Sequence, residues 1–382
     1  LTALHEIDVD NWEERQKYAL PATFGWLTTM KSLLDALDRR GIIHRPGADI
    51  KLMIPMFSDR DWSREEWIYG LMEFQKVPRN YANRVNQADG VMVPNKTVAD
   101  WFKNAGVSAP FYHCPLGFDP DFAYRDRPDD PHPIRILWLG AFTHRKMWIY
   151  ALHAFWQAFD PDDKSVELYI KTTSEDKAGR IDILSNAIFD SRQMTRAELK
   201  ALYYKSHVFL HTCTMEGFGL PPLEAMATGA LVVSVAEGGL KTHITPDTAC
   251  IVPTRPAEMY VREMTNKIDE NGDKYGHIEQ YLTPCWKPDI NKLADILKRV
   301  TRNYGDTSKK RKQASEWAHD TLTWDHSAAR FTEILTEKSI TLNNNGRYQP
   351  RKDPEDVWSE QVITILDPEM EDASKWQTPS LT

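Results

Sequence analysis

Cysteine is scarce in this chain: four residues in 382, at Cys114, Cys213, Cys250 and Cys285, with no C-x-x-C spacing. The pattern argues against a disulfide framework or a cysteine zinc site and fits a reducing compartment. Long apolar runs are lacking as well. None approaches the ~18 residues of a membrane span, and the opening LTALHEIDVDNWEERQ has no hydrophobic signal core. Positive charge is also short, and a net charge of −8 gives no general attraction to nucleic acid or anionic lipid. Eight acidic and four basic residues follow Ser339, so the body of the chain is closer to neutral. The expectation is a cytoplasmic protein, with peripheral membrane association left open. The densest basic run, Lys309-Lys310-Arg311-Lys312, reads as a solvated helix face.

What is present is enough apolar residue, 41%, to fill two ordinary cores. ALPATFGW (19–26) reads as a short strand and glycine turn, followed by a helix over LTTMKSLLDALDRRG (27–41). IKLMIPMF, WIYGLMEF, DGVMVPN and APFYHCPLGF are short apolar runs suited to buried parallel strands. VADWFKNAGV (98–107) is a helix ending at glycine. The proline- and aspartate-dense DPDFAYRDRPDDPHP (119–133) is a linker, after which strands and helices alternate again. IRILWLG, VELYIKT, HVFLHTC and ALVVSVA are the second set of strands, with helices at HAFWQAF and RAELKALYYKS. Two such α/β halves in tandem imply parallel sheets facing across a ligand cleft. The expected division is 1–125, 126–320, a helix at 321–338 packing back across both halves, and a polar acidic tail at 339–382. Within that tail VWSEQVITIL (357–366) has the composition to dock.

MEGFGLPPLEAMATGALVV (215–233) joins the strand HVFLHTC to a helix ending at Gly229. Pro221 and Pro222 suit a first helical turn, and Gly217 and Gly219 permit a sharp turn and close ligand approach. A helix start after a strand's carboxyl end favours phosphate. Glu216 and Glu224 would repel phosphate but can accept hydrogen bonds from sugar hydroxyls. A diphosphate flanked by two sugars satisfies the whole stretch.

EGFGLPPLEAMATG closely resembles the Glu-x7-Glu signature of the retaining glycosyltransferases of family four, which have the GT-B fold. ADGVMVPN, PLGFDPDF, ILWLGAFTHRKMW, MTRAELKALYYKSHVFLHT and GALVVSVAEGG match in the same order, so the resemblance covers roughly residues 17–335. It implies two Rossmann-like domains, a nucleotide-sugar donor (a UDP- or GDP-sugar) on the second, an acceptor on the first, and no metal. Carried over, Glu216 contacts the transferred sugar and Glu224 the donor ribose. Gly217, Phe218, Gly219 and Leu220 lie along sugar and phosphates, and Arg145 and Lys146 neutralise the diphosphate as the leaving group gains charge. Gly25 marks the turn that relatives bring near the phosphates, and Met194 the place where they pack the nucleobase. Glu73, ending a strand that faces the same cleft, reads as a surface carboxylate or as a group that orients the acceptor. Two departures stand out. Ala141 occupies a position where many relatives have arginine, and GGLKTH (238–243) lacks the acidic residue that often follows the glycines.

Other readings are open. Asp-x-Asp occurs at 8–10, 59–61, 119–121 and 160–162 in unrelated settings, which suits chance better than a metal-dependent transferase. His44, His113 and His211 lack metal spacing and read as core or edge histidines. A non-catalytic nucleotide-sugar-binding protein, motivated by Ala141, and a sugar-nucleotide epimerase on the same fold both accommodate the motif. The acceptor is open among glycan, lipid, small molecule and modified nucleic-acid base.

Overall fold

The computed structural model describes residues 6–9, 24–44, 50–53, 65–172, 186–268, 274–345 and 363–366. Among them, no helix is long and apolar enough to cross a membrane.

The first lobe holds strands β1 (Glu6–Val9), β2 (Ile43–His44), β3 (Ile50–Met53), β4 (Glu65–Tyr69), β5 (Gly90–Val93) and β6 (Phe111–His113). They form one parallel sheet in the order β2-β1-β3-β4-β5-β6. Helices α1 (Phe24–Asp38), α2 (Arg79–Val85) and α3 (Lys96–Asn104) belong to this lobe. The opening segment therefore contributes a strand, EIDV, where the sequence suggested only a polar lead-in. Four residues with two apolar positions are too few to register as a period. Helix α1 begins at Phe24, so Gly25 sits in its first turn and not in a loop after a strand; Ala19–Ala22 lie outside the described residues. Gly25 is tolerated there because first-turn N–H groups have no intrahelical acceptor to lose.

The second lobe contains β7 (Ile134–Leu139), β8 (Val166–Lys171), β9 (Ala187–Asp190), β10 (Val208–His211), β11 (Leu231–Ser234) and β12 (Cys250–Ile251). This sheet is also parallel, ordered β12-β11-β10-β7-β8-β9. Helices α4 (Trp148–Ala158), α5 (Arg196–Lys205), α6 (Leu220–Ala227) and α7 (Ile290–Arg302) pack on it. A capping box starts α5, with Glu198 accepting from Thr195 N at 2.8 Å and Thr195 Oγ1 accepting from Glu198 N at 3.3 Å. This is a GT-B architecture, matched by the solved structures described below.

Helices α8 (Ser308–Thr321) and α9 (Trp324–Asn345) return across the molecule, α8 against α6 and α9 against α1. The crossing point is a short bridge: Phe118 N donates to Leu322 O and Trp324 N to Phe118 O, each at 3.0 Å. Gly117 is required there, since a Cβ would fall 2.3 Å from the Thr323 carbonyl carbon. Helix α9 extends to Asn345, past the expected end at 338. The basic run on α8 is not wholly solvated, because Arg311 is buried with its guanidinium 4.6 Å from the Tyr304 ring centroid.

An element with no counterpart in the sequence reading is the antiparallel hairpin β13 (Thr254–Ile268) and β14 (Lys274–Pro288), fifteen residues each. The tail strand β15 (Ile363–Leu366) adds to it by pairing antiparallel with Tyr260–Glu263. At the hairpin's root, Met259, Val261 and Cys285 join an apolar cluster that includes Ile68, Met72 and Phe74 of the first lobe and Met147, Tyr150 and Met215 of the second. The hairpin thus braces both lobes.

Candidate active site

In the second sheet β7 lies between β8 and β10, so the chain leaves β7 and β10 side by side at the point where strand order reverses. Open α/β sheets bind ligands at such a switch point, beyond the strands' carboxyl ends. The loop after β7 carries Arg145 and Lys146 in a short 3-10 turn, His144–Lys146. Met147 follows with φ of 50°, among the described residues the only non-glycine at positive φ. Left-handed backbone at such a residue stores strain and must be held from outside. Thr212, just past β10, does so: its hydroxyl donates to Lys146 O and Met147 O, each at 3.0 Å, and accepts from Trp138 Nε1 at 3.1 Å.

The basic pair and Glu216 converge on each other. Arg145 Nη1 donates to Glu216 Oε2 at 2.9 Å, to Met215 O at 2.8 Å and to Cys213 Sγ at 3.3 Å. Lys146 Nζ bonds the other Glu216 oxygen. Arg145 Nη2 reaches across the cleft to Glu73 Oε2 at 2.5 Å. Two cations and two carboxylates, drawn from both lobes, therefore make one neutral cluster. Burial opposes the charge on Arg145, but Glu73 and Glu216 more than reverse this and hold its pKa above the ordinary value. Burial likewise pushes Glu216 up, and Lys146 and Arg145 outweigh it, leaving the carboxyl well below its usual range. For Glu73 burial prevails over Arg145, and its pKa is raised.

Beneath this cluster lie His211, Cys213 and His243, all buried. Burial lowers the His211 pKa to about 3 and the His243 pKa to about 4, so both rings are neutral at physiological pH. His211, Cys213 and Glu216 bring three donor atoms within 4.8 Å of one another, a spacing that could hold a metal ion. The surroundings do not suit one. Both Glu216 oxygens and the Cys213 sulfur already accept from Arg145 or Lys146, and a divalent ion would stand beside two fixed positive charges.

The glycine loop is built differently from the expectation that it lies open to a ligand. Gly217 is pressed against the first lobe: a Cβ there would lie 2.2 Å from Met72 O, and Asn95 Nδ2 donates to Gly217 O at 2.7 Å. Gly219 has φ of 89° and precedes α6. Phe218 is buried on His243, ring centroids 5.2 Å apart, while Leu220 is half-buried. Pro221 and Pro222 occupy the first turn of α6, removing two N–H groups from its start, so the charge work falls to Arg145 and Lys146 more than to the helix.

Glu224, on α6, stands apart from the basic cluster in its contacts. Tyr203 OH donates to its Oε2 at 2.8 Å. Burial raises the Glu224 pKa, with the Tyr203 hydrogen bond and Arg196 opposing. Met194 precedes α5 and packs half-buried against the second-lobe core. Its contacts lie apart from the Arg145–Lys146–Glu216 cluster. Sequence reasoning missed Asn95, Tyr203 and Thr212, and it read His211 as a core or edge histidine, in keeping with its burial. Asn95 alone left a local signal, as the N-cap of α3 that accepts from Val98 N at 3.0 Å.

Residues 133–269 match the family model described as Glycosyl transferases group 1. A protein provisionally named glycosyltransferase 41, from Sulfolobus islandicus filamentous virus (isolate Iceland/Hveragerdi), is 33% identical over 110 residues. That match spans 28% of this chain and about a third, 32%, of the viral protein. Among solved structures, sucrose-phosphate synthase from Thermosynechococcus elongatus superposes with a TM-score of 0.57 at 16% identity, over 85% of this chain and 81% of that one. HepE of Anabaena, solved in complex with UDP-glucose, gives a TM-score of 0.58 at 14% identity, over 87% and 99%. The pneumococcal O-GlcNAc transferase GtfA, in complex with UDP and GlcNAc, gives 0.53 at 12%, over 75% and 56%. These likenesses establish the fold, and the family match lies on the lobe that carries Arg145, Lys146, Glu216 and Glu224.

Proposed function

We propose that this chain is a glycosyltransferase that moves a sugar from a nucleoside diphosphate donor, a UDP- or GDP-sugar, to an acceptor hydroxyl. The observation that carries this reading is the convergence of Arg145 and Lys146 on Glu216 at the switch point of the second sheet, in contact with Glu73 of the first lobe. The group 1 family match, the UDP-glucose complex of one structural relative and the UDP and GlcNAc complex of another support the same donor class.

In this reading the diphosphate lies against Arg145 and Lys146, which stabilise the negative charge that grows as the sugar–phosphate bond breaks. Arg145 supplies the cation that relatives place at the position of Ala141. Glu216 receives hydroxyls of the transferred sugar, and Glu224, held by Tyr203, those of the ribose. The acceptor oxygen forms its bond to the anomeric carbon on the face that the diphosphate leaves, so configuration is retained. The acceptor proton passes to a donor phosphate oxygen. No metal is needed, because two protein cations do that work. The first lobe, with Glu73 at its edge, faces the acceptor, which can be a glycan, a lipid, a small molecule or a modified base.

The test begins with melting temperatures in the presence of UDP-, GDP- and ADP-sugars, since a ligand that binds only the folded state raises them. Lys146→Ala and Glu216→Ala should then each abolish transfer while the far-ultraviolet spectrum is kept. Full transfer by both variants would defeat the site assignment. Isomerised donor in the absence of any acceptor would instead indicate an epimerase.

A further inference from the structure

Both oxygens of Glu216 are engaged by the cations that the donor's diphosphate needs. A diphosphate that draws these cations toward itself competes with the carboxylate for them, and each contact the carboxylate gives up frees a lone pair for another donor. One polar atom beside it stands without a partner. His211 Nε2 lies 3.9 Å from Glu216 Oε1, beyond hydrogen-bond range, on a ring only 2% exposed. That nitrogen has no hydrogen-bond partner in the ligand-free molecule. Burying a polar atom unpaired is costly, so a state that pairs it is favoured.

We propose that His211 is a positioning residue for Glu216, and that Glu216 exchanges partners when the donor binds. The diphosphate takes over Arg145 and Lys146. Glu216 shifts by about 1 Å, enough to bring Oε1 within the ~2.9 Å of a normal N–H···O bond, and accepts from His211 Nε2. Its other oxygen then faces the sugar hydroxyls. The exchange conserves pairing: two charge-assisted contacts pass from carboxylate to phosphate, and an orphaned nitrogen gains an acceptor. Arg145, Lys146, Cys213 and His243 crowd the same space, and the ring stays neutral among them. A neutral imidazole beside a carboxylate carries its proton on the nitrogen that faces it, because the opposite tautomer would oppose lone pair to lone pair. This inference rests on the donor reading above.

The experiment compares wild type, His211→Leu and His211→Gln, with the sugar nucleotide that the wild type binds among UDP-glucose, GDP-mannose and ADP-glucose. Each is also titrated with the matching bare diphosphate. Glutamine places an amide donor near the Nε2 position; leucine places none. With leucine, affinity for the bare diphosphate should fall about 5- to 10-fold, because the diphosphate alone displaces Glu216 toward the ring, and kcat/KM for the sugar nucleotide should fall about 10- to 100-fold. Glutamine should recover activity to within about threefold of wild type. Should the leucine variant fail to fold, His211→Asn replaces it, since that amide reaches only the Nδ1 position and should behave as leucine. Unchanged kcat/KM in the leucine variant overturns the proposal. So does a glutamine variant as impaired as leucine, which marks a ring that acts only by filling space. A wild type that binds none of the three sugar nucleotides overturns the donor reading itself, and this inference with it.

Discussion

At the scale of single residues, the two motif glutamates differ in what holds them. Glu216 is fixed by charge and Glu224 by one phenol, Tyr203 OH at 2.8 Å. Removing that phenol should matter even though Tyr203 touches no ligand in the proposed mechanism. Tyr203→Phe leaves a buried carboxylate one donor short, so its already raised pKa rises further and its grip on ribose hydroxyls loosens. Donor KM should increase about tenfold, with kcat nearly unchanged, given the usual worth of a hydrogen bond to a charged group. Steady-state kinetics check this, and an equal fall in kcat would place Tyr203 in the chemistry instead. The glutamates themselves were legible in the sequence, because eight residues spanning a glycine turn and a helix start form a local pattern. Tyr203 was not, Asn95 left only a helix-cap signal and His211 read only as a core or edge histidine. Each acts through a partner that only tertiary structure brings near, as when Asn95 reaches Gly217 across 122 positions of chain.

At the scale of elements, the legible parts were those with dense local signals. IRILWL, VFLH and LVVS form parallel strands whose apolar runs need no partner to be noticed. Both β1 and the long hairpin escaped, for opposite reasons: β1 is too short, and β13 and β14 are polar, proline-bearing and stabilised by each other and by the far lobe. The turn carrying Arg145 and Lys146 shows how an element can depend on a single hydroxyl. Thr212→Val keeps shape but removes the hydroxyl that meets Trp138 Nε1 and Lys146 O, next to the strained Met147, whose own carbonyl keeps Tyr150 N at 3.0 Å. A loss of about 1–3 kcal/mol of stability is expected, seen as a lower urea midpoint with an unchanged m-value. Donor affinity should fall too, as the basic turn loosens. A valine variant with the wild-type midpoint would show the turn to be held by packing alone.

At the scale of the whole molecule, acid is the predicted weakness. Burial lowers the pKa of His211 to about 3, and of His207 and His243 to about 4, from the ordinary 6.5. Each takes up a proton in the unfolded chain near pH 6.5 but resists it when folded. Their contribution to stability is therefore complete above pH 6.5 and is lost progressively as pH falls toward 4. The slope is up to about 1.4 kcal/mol per pH unit for each fully buried ring. Glu216, with its lowered pKa, adds a loss in the same direction below its unfolded value of 4.5. The raised Glu73 and Glu224 partly offset it. Calorimetry from pH 8 to 4 should show the melting temperature nearly level above 6.5 and dropping below it; a level profile down to pH 4 would contradict the buried neutral histidines.

The hairpin rooted between the lobes has a mechanical consequence. Met259, Val261 and Cys285 anchor the hairpin among side chains of both lobes, and the strand residues beyond Val261, 262–268, carry it about 24 Å further. Tilting that anchor by about 10° would sweep the far end through about 4 Å at that length. A small shift between the halves is therefore largest at the hairpin's tip.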